Sequence, residues 1–117
     1  TTVTWGCSGT SISTNISLGT GQSNTAAIVN GCLTSSTAAR LCYNLSSGGY
    51  SDWYLPSLDE LNKLYLNRTA IGGFSSTWYW SSSQSSSTTA TLTNFSSGTN
   101  GSGSKTSSYS VRPVRNF

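Results

Sequence analysis

Residues Asp52-Trp53-Tyr54-Leu55-Pro56-Ser57-Leu58-Asp59-Glu60-Leu61 bring two aromatics, a proline and every acidic residue of the chain into one short stretch. Two further segments share this density: Tyr79-Trp80-Ser81-Ser82-Ser83, and Val111-Arg112-Pro113-Val114-Arg115-Asn116-Phe117 at the end. The rest is dominated by 26 Ser, 17 Thr and 12 Gly. In such a background these segments must supply the core and the fixed turns. Disorder is the competing reading of so much Ser and Gly. Aromatics at 11% argue against it, except at residues 85–88 and 99–104.

The 117 residues read as one domain, 1–117. The apolar supply predicts an aromatic core. Charged residues are only 8%, which fits an exported, loop-rich surface. The net charge of +3 favours anionic partners weakly. It is too sparse for a nucleic-acid arm, and no apolar run approaches the ~20 residues of a membrane span. The chain opens with Thr and has no signal peptide, which reads as the interior of a longer mature protein.

Local patterns predict the elements. Ser57 and Glu60 have capping-box spacing, so a helix is expected over 57–67, with Leu58, Leu61, Leu64 and Tyr65 as its buried face. Ala38, Leu41, Cys42 and Leu45 form a stripe that predicts a helix over 35–47, capped by Ser35 or Ser36 and stopped by Gly48-Gly49. Residues 25–29 read as a helical turn or a strand, and 7–24 as mostly loop. Strands are expected at 1–6, 78–82, 88–95 and 105–114, with 96–104 as a long polar hairpin loop. Pro113 puts the last strand at an edge. The fold class is α+β: two helices packed on an antiparallel sheet.

Cys7, Cys32 and Cys42 are an odd set. A disulfide is expected between two of them, Cys32 with Cys42 on nearness in sequence alone. No CxxC and no His accompany them, so metal binding is not expected. The Ser81–Ser83 run has no base to activate it, so no catalytic residue is assigned and an enzyme is not expected.

The series Gly49–Ser57, Asp59-Glu60-Leu61, Ile71-Gly72-Gly73-Phe74, Tyr79–Ser83 and Val111–Arg115, with Ile16–Gly21 and Asn24-Thr25 upstream, resembles the C-terminal domain of the Legionella collagen-like adhesin and its bacterial relatives. The resemblance spans nearly the whole chain. It implies a C-type lectin-like variant at the end of a collagen-like stalk, assembled as a homotrimer and secreted or held at the bacterial surface. It also implies attachment to sulfated glycosaminoglycans, host adhesion and biofilm formation. Calcium-dependent lectins hold their ion with ~6–8 oxygen ligands. This chain has no acid after Glu60, so no calcium site and no other cofactor is expected.

The cations are Arg40, Lys63, Arg68, Lys105, Arg112 and Arg115. Oxyanions accept charge-assisted hydrogen bonds from Arg and Lys. Lys63, Arg68, Lys105 and Arg112 form the candidate glycan-binding set. Arg112 and Arg115 also lie inside the recurring motif, where a structural role competes, and strand alternation gives them different faces. Trp53 and Trp80 read as core, and Trp78 as the candidate platform should the ligand be a neutral glycan. The function expected is non-catalytic adhesion by avidity of a trimeric basic surface. The alternative is a trimerisation or protein-binding cap without a sugar role.

Overall fold

The computed structural model describes residues 2–34 and 36–115. Five strands form one mixed sheet in the order β1-β5-β2-β3-β4. They are β1 (Thr2–Thr4), β2 (Trp78–Gln84), β3 (Thr89–Asn94), β4 (Asn100–Ser104) and β5 (Ser108–Ser110). Four helices precede β2: α1 (Gly21–Gly31), α2 (Ala38–Tyr43), α3 (Leu58–Leu66) and α4 (Arg68–Ile71). The α+β class holds, with twice the expected helices.

The meander β2-β3-β4 is antiparallel, with Trp80 opposite Leu92 and Ala90 opposite Gly103. The chain then crosses back. β5 meets β2 in parallel at Tyr79–Ser110 and pairs antiparallel with β1. The last strand is therefore interior to the sheet, and β1 and β4 are its edges. Pro113 lies beyond the end of β5, so it costs no ladder bond. Residues 100–104, expected as loop, are a strand. Its Gly101 and Gly103 are small because Trp78, Leu92 and Tyr109 lie directly over them.

β2 is buried along its whole middle. Its serines are satisfied there: Ser83 Oγ donates to Asn15 O at 2.7 Å and Asn24 Nδ2 donates to Ser82 Oγ at 3.1 Å. Ser81–Ser83 thus stitch the early loop and α1 to the sheet. Two aromatic-rich clusters fill the interior. One gathers Trp5, Ile28, Ala38, Cys42, Leu55 and Trp80 under α1 and α2; the other gathers Tyr54, Leu61, Leu64, Tyr79, Phe95 and Val114 under α3.

α3 forms as its sequence dictates. Ser57 Oγ accepts from Glu60 N, and Glu60 Oε1 accepts from Ser57 N at 2.8 Å. Leu61 and Leu64 are buried, Leu58 and Tyr65 half-buried. α2 is shorter than expected, with Thr37 at its N-cap, Asn44 at its C-cap and Leu41 exposed; Ser35 lies outside the described residues. Gly48 and Gly49 serve instead the turn at Ser47–Tyr50, both at positive φ.

The disulfide joins Cys7 to Cys32, with Cα atoms 5.9 Å apart. The expected Cys32–Cys42 bond is not formed. Cys42 is free and fully buried on α2, and burial pushes its thiol pKa up to about 12. No described helix is long and apolar enough to cross a membrane.

Candidate functional site

The six cations divide by what already holds them. Arg40 donates to Val29 O at 2.8 Å and Cys32 O at 2.9 Å, closing the C-terminal end of α1. Arg115 grips Asp52 with two bonds, 2.6 and 3.1 Å, and lies over the Tyr50 ring at 3.5 Å. The Arg115 hydrogen bond holds the Asp52 carboxyl below its usual range. Tyr54 and Val114 exchange backbone bonds beside this pair. The Asp52-Trp53-Tyr54 segment and the closing Val111–Arg115 segment thereby clamp one another. Arg112 and Arg115 do have different partners.

Lys105 corrects the candidate set. Its side chain is fully buried. The ammonium donates to Thr10 O at 3.0 Å and Gln84 Oε1 at 2.8 Å, over the Trp5 ring at 4.5 Å. Burial lowers its pKa, because desolvation penalises the charged form. It is an internal tie and presents no charge to a surface ligand.

The other three candidates border the corner built by α3, α4 and the Gly72–Phe74 turn: Arg68 and Arg112 at the turn, Lys63 in a separate cavity lined by α3 and α4. Gly72 and Gly73 sit at φ 74° and 79°, a region side-chain-bearing residues avoid, and they fold the chain back after α4. Phe74 then stacks on Phe95 with centroids 4.7 Å apart. Arg68 lies over the Tyr65 ring at 3.9 Å and donates one bond to Tyr65 O at 2.8 Å. Arg112 lies over Phe74 at 4.5 Å and reaches Gly72 O at 3.3 Å. A guanidinium has five N–H donors, so both keep donors for an incoming oxyanion while their planes are fixed. Lys63 is exposed on α3.

Two cavities flank α4. One, of about 270 Å³, is lined by Arg68, Thr69, Gly73, Phe74, Ser75 and Ser76 among others. The second, of about 490 Å³, is lined by Lys63, Leu64, Asn67, Ala70 and Ile71. The hydroxyls of Thr69, Ser75 and Ser76 were not singled out by the sequence; the Ile71-Gly72-Gly73-Phe74 motif is the signal that marks their turn. Trp78, the candidate neutral-sugar platform, is half-buried and packs on the first core cluster. Trp80 is core, whereas Trp53 is only half-buried and faces a separate cleft.

Among the described residues, no group of three or more His, Cys, Asp or Glu could hold a metal ion. No curated protein matches the chain. The family comparison is decisive: residues 1–115 match the Lcl C-terminal domain, a collagen-like adhesin domain family rather than a known enzyme family, and the chain belongs to it.

Proposed function

We propose that this domain is a trimeric, surface-displayed adhesin module that binds sulfated glycosaminoglycans at the α3–α4 corner, without metal. The observation that carries this reading is that Arg68 and Arg112 border the Gly72–Phe74 turn and Lys63 lines the adjoining cavity, all three without a carboxylate partner among the described residues. Arg68 and the nearby hydroxyls suit a sulfate in the smaller cavity, and Lys63 suits the next charge along the polymer. One domain at net +3 binds a polyanion weakly. Three copies on one stalk raise the effective concentration of the second and third contacts, with gains of ~10²–10⁴. The Cys7–Cys32 disulfide supports an oxidising, extracytoplasmic setting. The C-type lectin-like kinship is part of the same reading, supported by β1 returning beside the last strand with helices packed on the sheet.

Heparin-affinity chromatography tests the proposal. Wild type should be retained in low salt and released well before about 1 M NaCl, where the Debye length falls to ~3 Å. Lys63→Ala, Arg68→Ala and Arg112→Ala should each elute earlier, and the triple variant should flow through. Retention unchanged at that salt, or in the triple variant, would rule out the ionic mechanism. Sedimentation shows whether the protein is trimeric.

A second reading is favoured by a specific feature. Leu66 is 75% exposed and Ile71 45% exposed, and Ile71 lines a largely apolar cavity with Leu64 and Ala70. An apolar surface of this kind suits a protein contact, such as a stalk cap or trimer seam. Loss of trimers in Leu66→Ser, with heparin retention of the monomer also lost, would join the two readings. Retained trimers would separate the apolar surface from assembly.

A further inference from the structure

A cleft of about 390 Å³ opens between α1 and the segment that runs from α2 to the Asp52–Tyr54 motif. Its walls include Gln22 of α1, Tyr43 at the end of α2, and Ser51, Asp52, Trp53 and Tyr54. It shares no lining residue with the two cavities at the α3–α4 corner. Tyr43 is 51% exposed and lines the cleft.

The Trp53 and Tyr54 rings are held before any ligand arrives. Trp53 Nε1 donates to Tyr50 O at 3.1 Å, so the indole offers the cleft its face and edge, not its donor. Tyr54 donates its hydroxyl to Arg115 O at 3.3 Å. Polar groups stand around these rings. The Gln22 amide and the Ser51 hydroxyl have no hydrogen-bond partner among the described residues and are exposed. Asp52 is fixed by the two-pronged Arg115 grip, and a carboxylate so held still has acceptor capacity to spare.

Charge selects the ligand class. Arg115 neutralises Asp52 and itself occupies the face of Tyr50, at 3.5 Å. A cationic ligand therefore finds no unbalanced carboxylate. An anion finds no free cation, because the Arg115 guanidinium is engaged by Asp52. What remains is a charge-balanced surface of aromatic side chains, two of them fixed, rimmed by an amide, a hydroxyl and a paired carboxylate. A pyranose ring fits that chemistry: its polarised C–H face meets the negative π-face of an aromatic ring, and its hydroxyls both donate and accept. Concave sites of about 300 Å³ and above, with few placed polar groups, are the usual form of a small-molecule site.

We propose that the Tyr43–Trp53 cleft is a second binding site, taking a neutral pyranose and working independently of the basic corner. The probes are methyl β-D-galactopyranoside and methyl β-D-glucopyranoside, added to the wild-type protein in about 1 M NaCl to suppress ionic contacts. Saturation-transfer NMR and tryptophan fluorescence are the readouts. At least one probe should bind saturably with Kd on the order of 1–10 mM, with transfer strongest to the protons of one ring face. Tyr43→Ala should weaken this binding roughly five- to tenfold, the scale of one aromatic contact. Gln22→Ala should weaken it as well. Both residues are exposed, so both variants should keep the wild-type circular dichroism and the wild-type heparin retention. The absence of saturable binding by either probe up to about 100 mM, or equal binding by wild type and Tyr43→Ala, overturns the proposal and leaves the basic corner untouched.

Discussion

Lys105 carries a charge into an interior where its contacts are a carbonyl, an amide and an indole. The amide is Gln84, which also accepts from Ile12 N at 3.0 Å, while Gln84 N donates to Thr14 Oγ1 at 3.0 Å. One lysine therefore anchors the loop at residues 10–14 to the end of β2. Its removal strands Thr10 O, leaves Gln84 Oε1 with Ile12 N alone, and takes away the side chain packed over Trp5. Lys105→Ala should lower unfolding stability by about 2–4 kcal/mol, measured by urea titration, while the folded fraction keeps wild-type heparin retention. A surface cation would do the reverse: little change in stability and earlier elution. Nothing in the sequence near Lys105 announces this role, because Thr10 lies 95 residues away along the chain. Arg115 was easier to read, since its motif already implied a structural part.

At the level of elements, local signals were legible and non-local ones were not. The Ser57/Glu60 capping box is complete within four residues, and α3 starts where it says. α1 was read only in part, at 25–29 as a helical turn or a strand, for the opposite reason. Its buried positions, Gly21, Asn24, Thr25 and Ile28, do follow a helical period, but most are not apolar. Asn24 and Thr25 face inward to bond Asn15, Ser82 and Leu55. β4 hid likewise behind glycines that its neighbours' bulk requires. The candidate cations were half legible: Lys63, Arg68 and Arg112 were named together with the buried Lys105, and what brings Arg112 to Gly72 is the turn after α4. The disulfide is non-local too, set by the end of α1 passing β1's exit. Thiol labelling checks it. At pH 8 the native, unreduced protein should not react with Ellman's reagent, and one thiol should appear in urea, because burial keeps Cys42 protonated and out of reach. A Cys32–Cys42 bond would instead leave the half-exposed Cys7 to react at once.

Taken whole, the molecule has three acids and no histidine. Asp52, depressed by Arg115, stays ionised down through the usual carboxylate range. Its contribution to stability is present above its unfolded pKa, about 4, and is lost only as pH falls through the depressed folded value. The pair is exposed, so that contribution is small. Few other side chains change charge near neutrality. Heparin retention should therefore be flat between pH 5 and 8; a rise of retention toward pH 5 would point to a titrating group outside this account.

The pairing of β1 with β5 sets how the domain meets a mechanical load. Tension arriving from the N-terminal side acts first on the three-residue ladder Thr2–Thr4. It can peel that strand and the residues up to Cys7, and there it meets a covalent link to Cys32. Force then bypasses the intervening segment, so α1 is never stretched end to end. Reduction would release that slack, 25 residues of separation, or roughly 85 Å of extension. Under a load applied at Thr2–Thr4 the bond works as a strain limiter for the segment between Cys7 and Cys32.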